Sequence, residues 1–374
     1  MKSKILILTN PLNHEGGVVN YYNLYFKHFK SKNFELKHQN IGSRDWVFYY
    51  PIFKRIVYPF FYCYDILIFI LNLLFVRKIK IVQLSPSLIP VSLFRDGFFI
   101  IIAKIFKKKI VVFYRGWRIE TFHKIVNNKF LRILFNLTFQ QGTNQVVLAT
   151  SFKENLIELS GKQGQEIMVT TTAINKNDIV FSTIKKNENV IKVLFLARIE
   201  ELKGADEIIK AICKLHKLNK LDNFEFTFVG HENVLGYIKN LKQQLNISNV
   251  PKNRVIFKGR IIGEEKFQQY ANHDVYILPS YTEGCPTRVL EALASGLFCI
   301  TSPVGALAEI IVPNKNGILI NIKSVDDIIN ALALCQSNIN LLNNRSQISN
   351  DAIGHFEITN ICNKFNLFYN KIYS

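Results

Sequence analysis

Two glutamates mark the segment SYTEGCPTRVLEALASGLFCITSPVG, Ser280 to Gly305: Glu283 and Glu291, with seven residues between them. Glu283 falls in a loop with Gly284, Cys285 and Pro286, after an apolar run ending at Leu278. Glu291 falls about one turn into a helix expected to start near Thr287. Amides at a helix N-terminus lack intrahelical partners, so the N–H groups of Gly284, Cys285 and Thr287 suit an anion or sugar oxygens. Ionised carboxylates accept hydrogen bonds only, which suits pairs of sugar hydroxyls. Doubly wound sheets bind ligands at the C-terminal ends of their strands, where this segment would lie.

A second chemical signal is ARIEELKG, Ala197 to Gly204. Arg198 closes an apolar run and Lys203 precedes a helical pattern beginning near Ala205. A planar fork and a point charge at one strand-to-helix turn suit a diphosphate. A third signal is Glu15-Gly16-Gly17-Val18, where two glycines permit a tight turn and close approach of backbone to phosphate. No G-x-G-x-x-G stands there, which disfavours a dinucleotide dehydrogenase. None of the eight histidines has metal-ligand spacing and the chain has no D-x-D pair, so no metal site is expected.

These residues need a scaffold of parallel strands and helices, and the pattern supplies one twice. Strands are expected at Ile5–Thr9, Phe34–Gln39, Ile81–Leu84, Ile110–Tyr114 and Gln145–Leu148, with helices over Val18–Phe29, Leu93–Phe106 and Phe122–Phe139. The second half offers strands at Val190–Ala197, Phe224–Val229, Val255–Phe257, Val275–Leu278, Phe298–Thr301 and Gly317–Ile320, with helices such as Ala205–Leu218 and Ser324–Cys335 between them. Short apolar runs separated by helices indicate α/β architecture with parallel sheets covered on both faces. The polar stretch Asn175–Asn189 reads as a linker, giving domains 1–174 and 175–357, and the tail 358–374 is helical, with Ile358, Ile361, Cys362, Phe365 and Phe368 along one side.

A chain of 374 residues with 48% hydrophobic and 20% charged residues can bury two cores. Its net charge of +19 is uneven: residues 1–174 carry 24 Lys and Arg against 9 Asp and Glu (+15), the remainder 23 against 19 (+4). The basic half should meet something anionic. Tyr58–Val76 is the most apolar stretch and carries Asp65 and Asn72, with Lys54 and Arg55 before it and Arg77, Lys78 and Lys80 after. A charge at mid-bilayer costs about 2.5–3.5 kcal/mol on insertion scales, which favours a buried or membrane-surface helix over a span. Six cysteines without C-x-x-C spacing read as reduced thiols of a cytoplasmic protein. The apolar run Ile5–Leu8 is too short for a signal peptide.

In order and spacing, LFLARIEELKG, FTFVG, VIFKGRI, VYILPSYTEGCPTRVLEALASG, SPVGALAEII and NGILI resemble glycosyltransferase family four, the retaining enzymes of the GT-B fold. The resemblance implies two Rossmann-like, doubly wound domains facing a central cleft. The first would bind the acceptor and the second a nucleoside-diphosphate sugar, with the helical tail returning to the first domain. Arg198 and Lys203 would hold the donor diphosphate. Glu283 would bind the transferred sugar together with the backbone of Gly284, Cys285, Pro286 and Thr287, whose N–H groups, proline's excepted, follow it. Glu291 would accept from the ribose hydroxyls. Lys258, Gly259 and Arg260 would border the base, and Gly16 and Gly17 the phosphates. The chain departs from the family where relatives carry a His-Gly pair: here stands Arg115-Gly116-Trp117-Arg118, on the acceptor side, and arginine cannot serve as a neutral base.

The reaction so implied moves a sugar onto an acceptor hydroxyl with retention, the donor's own phosphate oxygen acting as base, without metal or other cofactor. A glycan or lipid-linked sugar would be the acceptor, in cell-surface polysaccharide or lipopolysaccharide synthesis, with the protein peripheral on the cytoplasmic face of an anionic membrane. Alternatives are a scaffold or regulatory subunit of a transferase and a sugar-nucleotide epimerase of similar fold. Nucleic acid is not expected as a partner, since no recognisable module accompanies the charge.

Overall fold

The computed structural model describes residues 2–14, 16–42, 51–160, 167–181 and 190–374, and the side chains of these except 51–56. Glu15, the side chains of Lys54 and Arg55, and residues 182–189 of the expected linker lie outside the described residues. The chain forms two compact units, Met1–Thr172 with Ile358–Ser374, and Ala173–Glu357.

The N-terminal unit runs β1 (Ser3–Thr9), α1 (Gly17–His28), β2 (Phe34–Asn40), α2 (Pro51–Phe75), β3 (Ile79–Leu84), β4 (Ser87–Leu88), α3 (Pro90–Ile105), β5 (Lys109–Phe113), β6 (Gly116–Trp117), α4 (Ile119–Asn127), α5 (Lys129–Phe135), β7 (Asn144–Val147), α6 (Thr150–Ser160) and β8 (Ile167–Val169). Its six-stranded sheet has the order β2-β1-β3-β5-β7-β8, parallel throughout. Ile5 to Leu8 are wholly buried, as the near-continuous apolar run of a strand covered on both faces requires.

The C-terminal unit runs β9 (Ile191–Leu196), α7 (Ala205–Lys217), β10 (Phe224–Val229), α8 (Tyr237–Ile247), β11 (Val255–Phe257), α9 (Gly263–Ala271), β12 (Val275–Leu278), α10 (Thr287–Ala294), β13 (Phe298–Thr301), α11 (Leu307–Ile310), β14 (Gly317–Leu319), α12 (Val325–Ser337), α13 (Asn340–Asn343) and α14 (Arg345–Phe356). Its parallel sheet has the order β11-β10-β9-β12-β13-β14, the double winding of a Rossmann fold. The last helix, α15 (Ile358–Tyr373), packs in the N-terminal unit: Phe365 meets the rings of Tyr25 and Phe113, and Tyr369 donates to Gln83 at 2.6 Å.

One helix differs from its sequence reading. The helix expected over Phe122–Phe139 is broken. Asn128 is extended (φ −115°, ψ 110°) between α4 and α5, its side chain accepting from Leu131 N, and residues 136–140 continue as a π-helical turn. An asparagine oxygen competes with the backbone for its own neighbours, so it starts a new helix where the pattern suggested continuity. In α2, Asp65 is buried. Its carboxylate accepts from Gly42 N at 2.9 Å and its carbonyl from Gln39 Nε2 at 2.9 Å. Asn72 exchanges bonds with Lys37 and Gln39. Asp65 and Asn72 are two turns apart and share the inward face. The outward face is apolar: Phe60, Tyr64, Leu67, Leu71, Leu74 and Phe75 are exposed. Val57–Phe75 is long and apolar enough to cross a membrane, and 17% of it is buried.

Candidate functional site

In the C-terminal sheet the strand order reverses between β9 and β12, the switch point at whose loops doubly wound sheets bind ligands. The loops after these two strands carry Arg198, Lys203 and Glu283. Gly204 ends the first with φ +74°, and a Cβ there would come within 2.3 Å of Pro279 O. Only glycine allows that contact, and Tyr281 N then reaches Leu202 O at 3.0 Å. Lys203 Nζ meets Glu283 Oε1 at 2.6 Å, and Ser280 Oγ donates to the same oxygen at 2.9 Å. Arg198 is exposed, with NH2 3.0 Å from Glu200 Oε1. Thus Lys203 and Glu283 are brought together, while Arg198 pairs within its own loop.

Glu291 stands apart in kind. It is a buried carboxylate with three partners: Lys266 Nζ at 2.9 Å, Arg288 NH1 at 2.9 Å and Tyr270 OH at 3.0 Å. Burial alone would raise its pKa, but Arg288 and Lys266 outweigh burial and hold it below the usual carboxylate range. Burial also dominates at Lys266, lowering its pKa despite the carboxylate beside it. Removing one member of such a group costs about 3–5 kcal/mol because a buried charge loses its compensation.

The surrounding loops are tied to each other by backbone. A Cβ on Gly230 would lie 1.8 Å from Ala197 O, and Gly230 N donates to Gly259 O at 2.8 Å, joining the loops after β9, β10 and β11. Lys258 and Arg260 are exposed, Lys258 donating to Gln269 at 3.0 Å. Ala306 N donates to Gly284 O at 2.8 Å. α10 begins after Pro286 with no side-chain cap and no acid in its first turn. Its N-terminal amides, Thr287 first, keep the polarity that attracts anions. Cys285 is buried and free of disulfides, as are Cys299, Cys335 and Cys362.

In the N-terminal unit Gly16 (φ +140°) precedes α1, which starts at Gly17 without a side-chain cap. Arg115 is buried after β5, Gly116 packs against Ser87, and Arg118 is exposed ahead of α4. Sequence reasoning missed Ser280, Lys266, Tyr270 and Arg288. Arg288 carried a signal, since it lies three residues before Glu291 on one helix. Among the described residues no group of three His, Cys, Asp or Glu is placed to hold a metal ion.

The family described as glycosyl transferases group 1 matches residues 176–352. An uncharacterized glycosyltransferase of Methanocaldococcus jannaschii is 25% identical over 213 residues, 54% of this chain and 53% of the relative, so the match spans about half that protein's length. Sucrose-phosphate synthase from Thermosynechococcus elongatus superposes with TM-score 0.73 at 12% identity, covering 100% of this chain and 99% of that one. Anabaena HepE in complex with UDP gives 0.71 at 14%, covering 98% and 100%. In fold and in its group 1 segment, the chain is a GT-B protein that resembles the glycosyltransferases of family four, enzymes that act on nucleoside-diphosphate sugars.

Proposed function

We propose that this chain transfers a sugar from a nucleoside diphosphate to an acceptor hydroxyl, with retention of configuration. The observation that carries the reading is the pairing of Lys203 with Glu283 across the two loops at the C-terminal sheet's reversal point. Lys203 and Arg198 bring positive charge to the leaving diphosphate. Glu283, with the amides of Gly284, Cys285 and Thr287, receives the sugar hydroxyls, and Glu291 the ribose. Lys258, Gly259 and Arg260 border the base. Catalysis then rests on preorganised charge at the leaving group, the donor's phosphate oxygen taking the acceptor proton. The UDP bound to Anabaena HepE supports a uridine nucleotide as the first donor to test. The test is a thermal-shift panel of nucleotide sugars on the purified chain, followed by turnover with and without EDTA. A nucleotide-sugar response and EDTA-resistant turnover are expected; no response to any nucleotide sugar refutes the reading.

The acceptor is proposed to be a glycan or lipid-linked sugar of a cell-surface polymer, met at the inner face of an anionic membrane. Support comes from the outward face of α2 together with exposed Val91, Phe94, Phe98, Ile101 and Ile105 on α3, which packs beside it through Tyr62 and Phe98. Exposed Arg77, Lys78, Lys80 and Lys107 follow the two helices. Lys104 is committed to the carbonyls of Leu137 and Thr138, at 2.7 and 2.8 Å, so it adds little to this charge. Each basic side chain near an anionic surface adds about 1 kcal/mol, and the apolar face adds its buried area. The protein should float with anionic vesicles at low salt and be released at high salt. Absence of binding at low salt removes the membrane claim.

A further inference from the structure

The N-terminal unit holds a buried cation with no counter-ion among the described residues. Arg115 follows β5, and its N–H donates to Pro86 O in the loop after β3 at 2.9 Å. The residue is 8% exposed, and its Nε and NH1 are buried without a hydrogen-bond partner. The guanidinium carbon sits 4.0 Å from the ring centre of Tyr21 and 4.8 Å from that of Phe113. Those faces attract the charge but leave the in-plane N–H donors unanswered.

The neighbours are already committed. The Tyr22 hydroxyl is bonded to Ser85 and receives Gln83 Nε2 at 3.0 Å, and Gln83 Oε1 receives Tyr369. The Tyr21 hydroxyl, like Arg115 Nε and NH1, is buried without a partner. Arginine cannot escape such a position by losing its proton. A guanidinium edge and a phenol, both lacking acceptors, are together complementary to an oxyanion. Their place supports a ligand. The N-terminal sheet reverses between β1 and β3, and Tyr21 lies on the helix after β1, Arg115 after the neighbouring β5.

We infer that Arg115, with the Tyr21 hydroxyl, binds a phosphate or carboxylate group of a substrate. The site is a property of this unit alone, and it rests on the transferase reading only for the substrate's identity.

The test is a thermal-shift titration of the full chain in a chloride buffer, with inorganic phosphate, glucuronate and UDP as separate probes. Inorganic phosphate should raise the melting temperature saturably. Arg115→Gln should weaken that response about tenfold or more, and Tyr21→Phe several-fold. If Arg115→Gln also weakens UDP by about tenfold, the oxyanion is the donor's. If UDP is unchanged while phosphate or glucuronate is lost, it belongs to the acceptor. An unchanged phosphate response in Arg115→Gln overturns the proposal. Arg115→Met supplies a second check: in anion-free buffer it should melt no lower than wild type, because it removes an unpaired buried charge. A lower melting temperature makes Arg115 structural and also overturns the site. Lys203→Ala should lose UDP and keep phosphate, so failure of the transferase reading and failure of this site are read separately.

Discussion

Glu291 and Arg115 are both buried charges in loops or helices that follow central strands, but their surroundings differ. Glu291 is met by an ammonium, a guanidinium and a phenol of its own unit. Arg115 is met by two ring faces and no acid among the described residues. The C-terminal rim is therefore held in shape by internal pairing, and a ligand there adds to a finished arrangement. The N-terminal rim leaves donors for a ligand to complete. The group 1 match ends at residue 352 and begins at 176, so it falls within the internally paired unit.

The sharpest way to break this contrast is Glu291→Ala. If the cage is structural, losing the carboxylate strands Lys266 and Arg288 and should cost about 3–5 kcal/mol of stability. For a unit of this size that is about 10 °C in melting temperature, read by thermal unfolding without nucleotide. A loss of nucleotide affinity with an unchanged melting temperature would instead make Glu291 a ligand contact only. Next in size is Lys203→Ala, which should lower turnover by about a hundredfold, roughly 3 kcal/mol, if Lys203 stabilises charge on the leaving phosphate. Arg198→Ala should behave alike. Near-normal steady-state kinetics for both would take the diphosphate away from this loop.

The outward face of α2 offers a third comparison, within one helix. Leu67→Asp and Leu71→Asp change exposed positions, so they should leave the melting temperature nearly unchanged yet weaken vesicle binding by about tenfold or more. Asp65→Ala changes the inward face, removing the acceptor of Gly42 N, and should cost about 1–3 kcal/mol of stability with vesicle binding retained in the folded protein. Equal vesicle binding by the Leu67 and Leu71 variants and wild type would mean that this face does not meet lipid.

Much of the scaffold was legible because parallel strands buried on both faces leave apolar runs that turns interrupt; β9, β10, β12 and β13 stand close to their sequence bounds. Lys203 and Glu283 were legible as charges at strand ends. Their contact was not, since it depends on Gly204 admitting Pro279 O. Lys266 and Tyr270 reach Glu291 from another helix, and no local periodicity announces a tertiary cage. Asp65 was legible as a cost to a bilayer; that it and Asn72, two turns on, share the inward face was not, since their partners Gly42, Lys37 and Gln39 come from elsewhere in the chain. Asn128 breaks a helix without proline or glycine, through a side-chain bond that propensity alone does not register.

A last comparison concerns His273, between α9 and β12. Its ring is buried and its Nδ1 lies 2.6 Å from Gln269 O. Burial lowers its pKa to about 4; the Gln269 carbonyl opposes this, and Lys258 and Lys192 add repulsion that Asp274 partly offsets. The unfolded chain would bind this proton near pH 6.5. Between these values the unfolded state holds more protons, so stability rises with pH and is lost as pH falls from about 6.5 toward 4. At pH 5 the loss from this one group is about 2 kcal/mol. Paired melting curves at pH 7.5 and 5.0 measure it. His273→Gln, which has no proton to gain, should melt with a shallower pH dependence even if it is less stable at both values. An equal slope in wild type and variant would show that the acid sensitivity of this unit arises elsewhere, with the Glu291 cage next to test: its depressed pKa keeps its contribution intact above about pH 4.5 and loses it only at lower pH.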